Sequence, residues 1–136
     1  MRITTTELYD FAEKNKIKID SFHLKCVKSV SMVDTFNNCY IAVDNVTFND
    51  DLECLAHEIG HCLTGAFYNR FSAYDLRAKQ EYKADKWAIK KLIPADELKN
   101  AFDKGITEVW ELAEYFNVSE NFIKKAFEFY KINNYI

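Results

Sequence analysis

The sequence predicts an α+β fold, with a small antiparallel sheet packed on two helices and a helical C-terminal segment behind them. Between about residues 16 and 43 apolar and polar residues alternate in short runs, the period of half-buried strands. From about residue 52 onward the apolar residues recur at spacings of three and four, the period of helices. The length of 136 residues, 49% of them hydrophobic and 29% charged, suits one compact domain with a core and excludes a disordered chain. A formal charge of −3 disfavours bulk nucleic-acid binding. No apolar run approaches the roughly 18 residues of a membrane span. The N-terminus lacks the apolar stretch of a signal peptide, so a cytoplasmic protein is expected.

Residues 4 to 15 read as a first helix, capped by Thr4 or Thr5, with Glu7 at its positive end and Leu8, Phe11 and Ala12 as an apolar stripe. Residues 16 to 20 alternate as a strand, which Phe22, Leu24 and Cys26 continue. On that strand His23 points away from them and reads as a partly exposed residue. Residues 26 to 33 form a further candidate strand. Asp34 to Asn38 form a turn, and Cys39 to Val43 is a run of strong β-formers. No glycine precedes Gly60, so the early turns must rely on Asn and Asp.

Asn49 or Asp50 is placed to cap the next helix, Asp51 and Glu53 fall in its first turn, and Gly65 is placed to end it. Leu52, Leu55, Ala56, Ile59, Cys62 and Leu63 give it a wide apolar surface. It carries His57-Glu58-Ile59-Gly60-His61, an H-E-x-x-H pattern that uses two of the three histidines in the chain. Residues four apart share a helix face, so both imidazoles can reach one metal ion, with Glu58 beside it to take a proton from water. Gly60 costs roughly 1 kcal/mol inside a helix relative to alanine, which argues for close approach of another backbone, expected to be the sheet.

Residues 66 to 74 read as a loop, and a second helix runs from about Asp75 to Leu92, stopping before Pro94. Glu81, Ala84, Asp85, Ala88 and Leu92 fall on one face of it. Glu81 is the candidate third metal ligand. Asp85 is the candidate acceptor for the free N–H of a ligand histidine, fixing its tautomer. Two imidazoles, one carboxylate and an open position make the donor set of a catalytic zinc ion. A third histidine further along the pattern is excluded, because Phe67 stands where it would be. The cysteines, Cys26, Cys39, Cys54 and Cys62, form no C-x-x-C pair and are expected to be reduced and mostly buried.

Three short helices are expected at 95–102, 108–116 and 120–130. The last two have a helix-turn-helix look. Residues 94–136 hold five lysines and eight acidic residues, a poor footprint for phosphate contacts, so the segment reads as packing or protein recognition.

These residues resemble the ImmA/IrrE-like metallopeptidases. That family usually reads H-E-x-G-H, then E-x-x-A-N/D-x-F/W-A, then an L-L/I/M-P end. Here the matching residues are His57 to His61, Glu81 to Ala88, and Leu92-Ile93-Pro94. Glu111 to Ser119 also resembles the family's later LA-x-x-F-x-V-S segment. The resemblance implies a gluzincin-like fold, with a catalytic core at 1–93 and a helical segment at 94–136 packed on it. It implies a zinc peptidase, with His57, His61 and Glu81 on zinc, Glu58 as general base and Asp85 orienting a histidine. It also implies a protein substrate, a transcriptional repressor of a phage or mobile element. Tyr68, Tyr74 and Tyr82 are the candidates for stabilising the oxyanion. Two other readings compete: a zinc-containing regulator that docks on a repressor without cutting it, and a DNA-binding module at 108–130.

Overall fold

A computed structural model describes residues 3–68 and 71–133. Among the described residues, six helices and three strands follow in the order α1 (Thr5–Lys14), β1 (Lys18–Phe22), β2 (Ser29–Val33), β3 (Cys39–Asp44), α2 (Leu52–Thr64), α3 (Tyr74–Leu92), α4 (Ala95–Asp103), α5 (Val109–Phe116) and α6 (Glu120–Ile132). The α+β class is as the sequence predicts. Residues 69 and 70 of the expected loop lie outside the described residues.

The strand order is β1-β3-β2. β2 and β3 pair antiparallel, with Ser31 opposite Ile41, as expected for strands joined by a tight turn. β1 instead runs parallel to β3, with Asp20 opposite Ala42, so the sheet is mixed rather than wholly antiparallel. The cause is burial. β3 is the strand with the most apolar side chains and takes the centre, where Ile41 and Val43 join the core, leaving both edges to more polar strands. β1 ends at Phe22. His23 therefore lies beyond the strand, exposed, 3.9 Å from Asp44.

The turns use Asn and Asp as expected. Asn37, Asn49 and Asp50 all adopt positive φ. Asp44, buried at the end of β3, accepts from the backbone N–H groups of Leu24, Val46 and Thr47 and from the Thr47 hydroxyl. The Thr47 and Leu24 amides, with the Thr47 hydroxyl and the Val46 amide, hold its carboxyl well below the usual carboxylate range.

The cap of α2 is Asp51 rather than Asn49 or Asp50. Its side chain accepts from the Cys54 amide. The two residues before it are occupied in the left-handed turn that delivers the chain to the helix. Gly65 ends α2 in the left-handed conformation, as its position predicts. Gly60 faces α3 and not the sheet: a Cβ built there would stand 2.7 Å from the Ala84 carbonyl oxygen. The missing side chain lets the two helices approach closely, and this sets the distance across which the site is assembled.

Cys39 and Cys62 are joined as a disulfide, which corrects the expectation of four reduced thiols. β3 lies beneath α2, and the pairing brings the two Cα atoms to 5.7 Å, inside the range a disulfide spans. Cys26 is exposed and free, and Cys54 is free and half-buried.

The C-terminal helices share the core through Leu98, Leu112, Phe116, Phe122, Ile123 and Phe129. Ser119 caps α6 by accepting from the Phe122 amide. Its own amide and hydroxyl both donate to Glu53 of α2, at 3.1 and 3.2 Å, so one serine ties α6 to the motif helix. No described helix is long and apolar enough to cross a membrane.

Candidate metal centre and its cleft

Helical spacing puts His57 and His61 on one face of α2, and the close α2–α3 approach at Gly60 brings Glu81 against them. The two Nε2 atoms stand 3.2 Å apart. Glu81 places one carboxylate oxygen 2.8 Å from His57 Nε2 and the other 3.3 Å from His61 Nε2. Ligand atoms about 2.1 Å from a tetrahedral ion stand roughly 3.4 Å from one another. The donor set and its spacing therefore fit a divalent ion of zinc's size.

Each ring is held by its other nitrogen. His57 Nδ1 lies 2.8 Å from Asp85 Oδ1, and His61 Nδ1 meets the Ala66 carbonyl oxygen. Carboxylate and carbonyl oxygens only accept, so both Nδ1 atoms carry the proton and both Nε2 atoms face inward. Burial disfavours the His57 imidazolium, but the Asp85 hydrogen bond and the charges of Asp85, Glu81 and Glu58 outweigh it and raise its pKa above the ordinary value. Burial likewise works against the Asp85 carboxylate. Its bond and charge interaction with His57, helped by Lys125 at 3.5 Å, outweigh that and lower its pKa. The cluster of carboxylates around His57 calls for positive charge, which a proton or a metal ion can supply.

Glu58 is buried on the β2 side of α2, where Ser29 Oγ donates to Oε2 at 2.6 Å and Ser31 Oγ donates to Oε1 at 2.8 Å. Cys54 Sγ lies 2.7 Å from the same Ser29 oxygen. Burial pushes the Cys54 thiol up, keeping it protonated. The sequence reading missed both serines. Their one signal was the S-x-S spacing of residues 29 and 31, which places both hydroxyls on the same face of a strand.

Of the three tyrosines, only Tyr68 reaches the centre. Its hydroxyl donates to Glu81 at 2.7 Å, and that bond above all raises its pKa. Tyr74 and Tyr82 are exposed, at 83% and 54%, and do not line the cleft beside the triad. That cleft, of about 280 Å³, runs between β2 and the segment after α2, with Val30, Phe67 and Tyr68 as walls. A second hollow of about 660 Å³ shares His57, Glu58 and Glu81 and continues to Ser119, Phe122 and Lys125 of the C-terminal helices. The two make a groove that passes on both sides of the candidate ligands.

No curated protein matches the chain. A family model, the IrrE N-terminal-like domain of the M78 peptidases, matches residues 48–128, a span that runs from the start of the motif helix into α6 and includes every candidate ligand. The chain belongs to that IrrE N-terminal-like peptidase family.

Proposed function

We propose that the protein is a zinc-dependent endopeptidase that cuts a protein partner. The observation that carries this reading is the convergence of two imidazole Nε2 atoms and the Glu81 carboxylate beside a buried glutamate. His57, His61 and Glu81 would hold the ion, and Asp85 would keep His57 in the tautomer that binds it. When bound, the ion supplies Lewis acidity toward water and a peptide carbonyl.

The chain's own groups do the rest. Glu58 takes the proton from the attacking water and passes it to the departing amine. Tyr68 supplies a neutral donor for the oxyanion that develops on the carbonyl. β2 is an edge strand that lines the cleft, so an extended peptide can pair with its free backbone groups and cross the ligand triad. In this reading residues 1–93 are the catalytic core, and residues 94–136 wall the far end of the groove.

For the substrate we propose a transcriptional repressor of a phage or mobile element, on the resemblance of the chain to ImmA/IrrE-like proteins. The test has two parts. Elemental analysis should find about one zinc per native chain, lost in His57→Ala and Glu81→Ala. Sub-stoichiometric zinc protein should then cut a repressor that it binds, read as new termini by mass spectrometry. Stoichiometric binding without new termini would replace the enzyme by a docking regulator.

A further inference from the structure

We propose that Ser29 and Ser31 are positioning residues, a hydroxyl pair on the edge strand that holds the Glu58 carboxylate in its working orientation. The inference rests on the peptidase reading and adds to it the groups that aim the base.

A glutamate side chain has three torsions, and a helix restricts chiefly the first of them. Here each carboxylate oxygen accepts from a different serine, at 2.6 and 2.8 Å, and two such bonds fix both the position and the plane of the group. A hydroxyl owns one proton. An ionised carboxylate only accepts, so the Ser29 proton is committed to Glu58 and the Ser29 lone pairs are left for Cys54. The thiol therefore donates, and a directed chain runs from Cys54 through Ser29 to Glu58. Each oxygen of Glu58 keeps lone-pair capacity with which to accept from water.

Both donors sit on β2, the strand beside which the peptide would lie, so base and substrate take their position from the same strand.

The experiment uses the full zinc-loaded chain and acetohydroxamate, a small chelator whose acidic proton passes to a neighbouring carboxylate when it binds zinc. Its dissociation constant and the zinc content are measured for native protein, Glu58→Gln, Ser29→Ala/Ser31→Ala and Ser29→Thr/Ser31→Thr. We expect about one zinc in all four, and about tenfold weaker probe binding in the alanine pair and in Glu58→Gln, the scale of one lost charge-assisted hydrogen bond. The threonine pair should return to within about twofold of native, since it keeps both hydroxyls and suits a strand. The single variant Ser31→Ala, which leaves the Cys54–Ser29 link intact, should fall between native and the double, and it serves if the double fails to fold by circular dichroism. Native affinity in the alanine variants, or no recovery with threonine, overturns the inference alone. Native protein that takes up no zinc, or Glu58→Gln that binds the probe as native does, overturns the peptidase reading and this inference with it.

Discussion

The motif helix has two working flanks, and they are held by different chemistry. On the α3 flank His57 is gripped by charge, with Asp85 on one nitrogen and Glu81 on the other. On the β2 flank Glu58 is gripped by two hydroxyls that carry no charge. Charged partners raise the basicity of the ring they hold, which suits a ligand that must bind a cation. Neutral hydroxyls fix the position and plane of a carboxylate and leave each oxygen a lone pair with which to accept from water. In the proposed reading one helix thus presents a ligand face and a base face, each held by the element packed against it.

The comparison can be broken one flank at a time. Glu58→Gln keeps the size and can still accept from one serine, but its amide nitrogen cannot accept from the other and the side chain cannot take a proton. Peptide hydrolysis should fall by about 10²–10⁴-fold, the range for general-base catalysis, with zinc content unchanged. Hydrolysis near the native rate in a zinc-replete sample would sink the β2-flank assignment. Tyr68→Phe removes a donor and no charge. We expect kcat to drop by about 10²–10³-fold with zinc retained, the scale of a lost oxyanion donor, and an unaltered kcat would return Tyr68 to a packing role.

Asp85→Asn acts on the α3 flank alone. Zinc affinity, read by competition with a chelator, should weaken by about 10–100-fold, while acetohydroxamate affinity at saturating zinc stays close to native. Loss of both together would show that the flanks are not separable. Gly60→Ala acts on the spacing between α2 and α3, because its Cβ meets the Ala84 carbonyl. It should cost about 1–3 kcal/mol of stability in denaturant unfolding, the range for overpacking, and a neutral result would mean that the helices can part without penalty.

The smallest effect lies outside both flanks, at Asp44. Its folded pKa is depressed, so its contribution is present above the unfolded carboxylate value of about 4 and is lost as pH falls toward the folded value. The stability difference between native protein and Asp44→Asn should be full at pH 7 and shrink as pH drops below about 4. A difference that stays constant into acid would show that the charge contributes nothing.

What the sequence made legible was local. His57 and His61 are separated by one helical turn, and Glu81 and Asp85 by another, so period alone placed each pair on a common face. The α+β class followed from the change of period near residue 50 for the same reason. What escaped depended on which element packs on which. The bonds from Ser29 and Ser31 to Glu58 span 29 and 27 residues and exist only once β2 lies along α2. The partner of Gly60 was misassigned because a glycine announces a close approach without naming what approaches. The parallel course of β1 follows from a competition for the centre of the sheet, and alternation within one strand carries no information about its neighbours.

The Cys39–Cys62 bond closes a covalent ring whose ends are 23 residues apart, and within that ring lie β3, His57, Glu58 and His61. Such a ring restricts the denatured ensemble, and by the loop-entropy relation this is worth about 3 kcal/mol, a large part of the roughly 5–15 kcal/mol that separates a typical domain from its unfolded chain. Where thiols are kept reduced, the ring opens and that margin is gone before any ligand is altered. Where they are oxidised, the segment bearing both histidines stays tethered even in the unfolded chain. The durability of this domain is thus set by its surroundings as well as by its sequence.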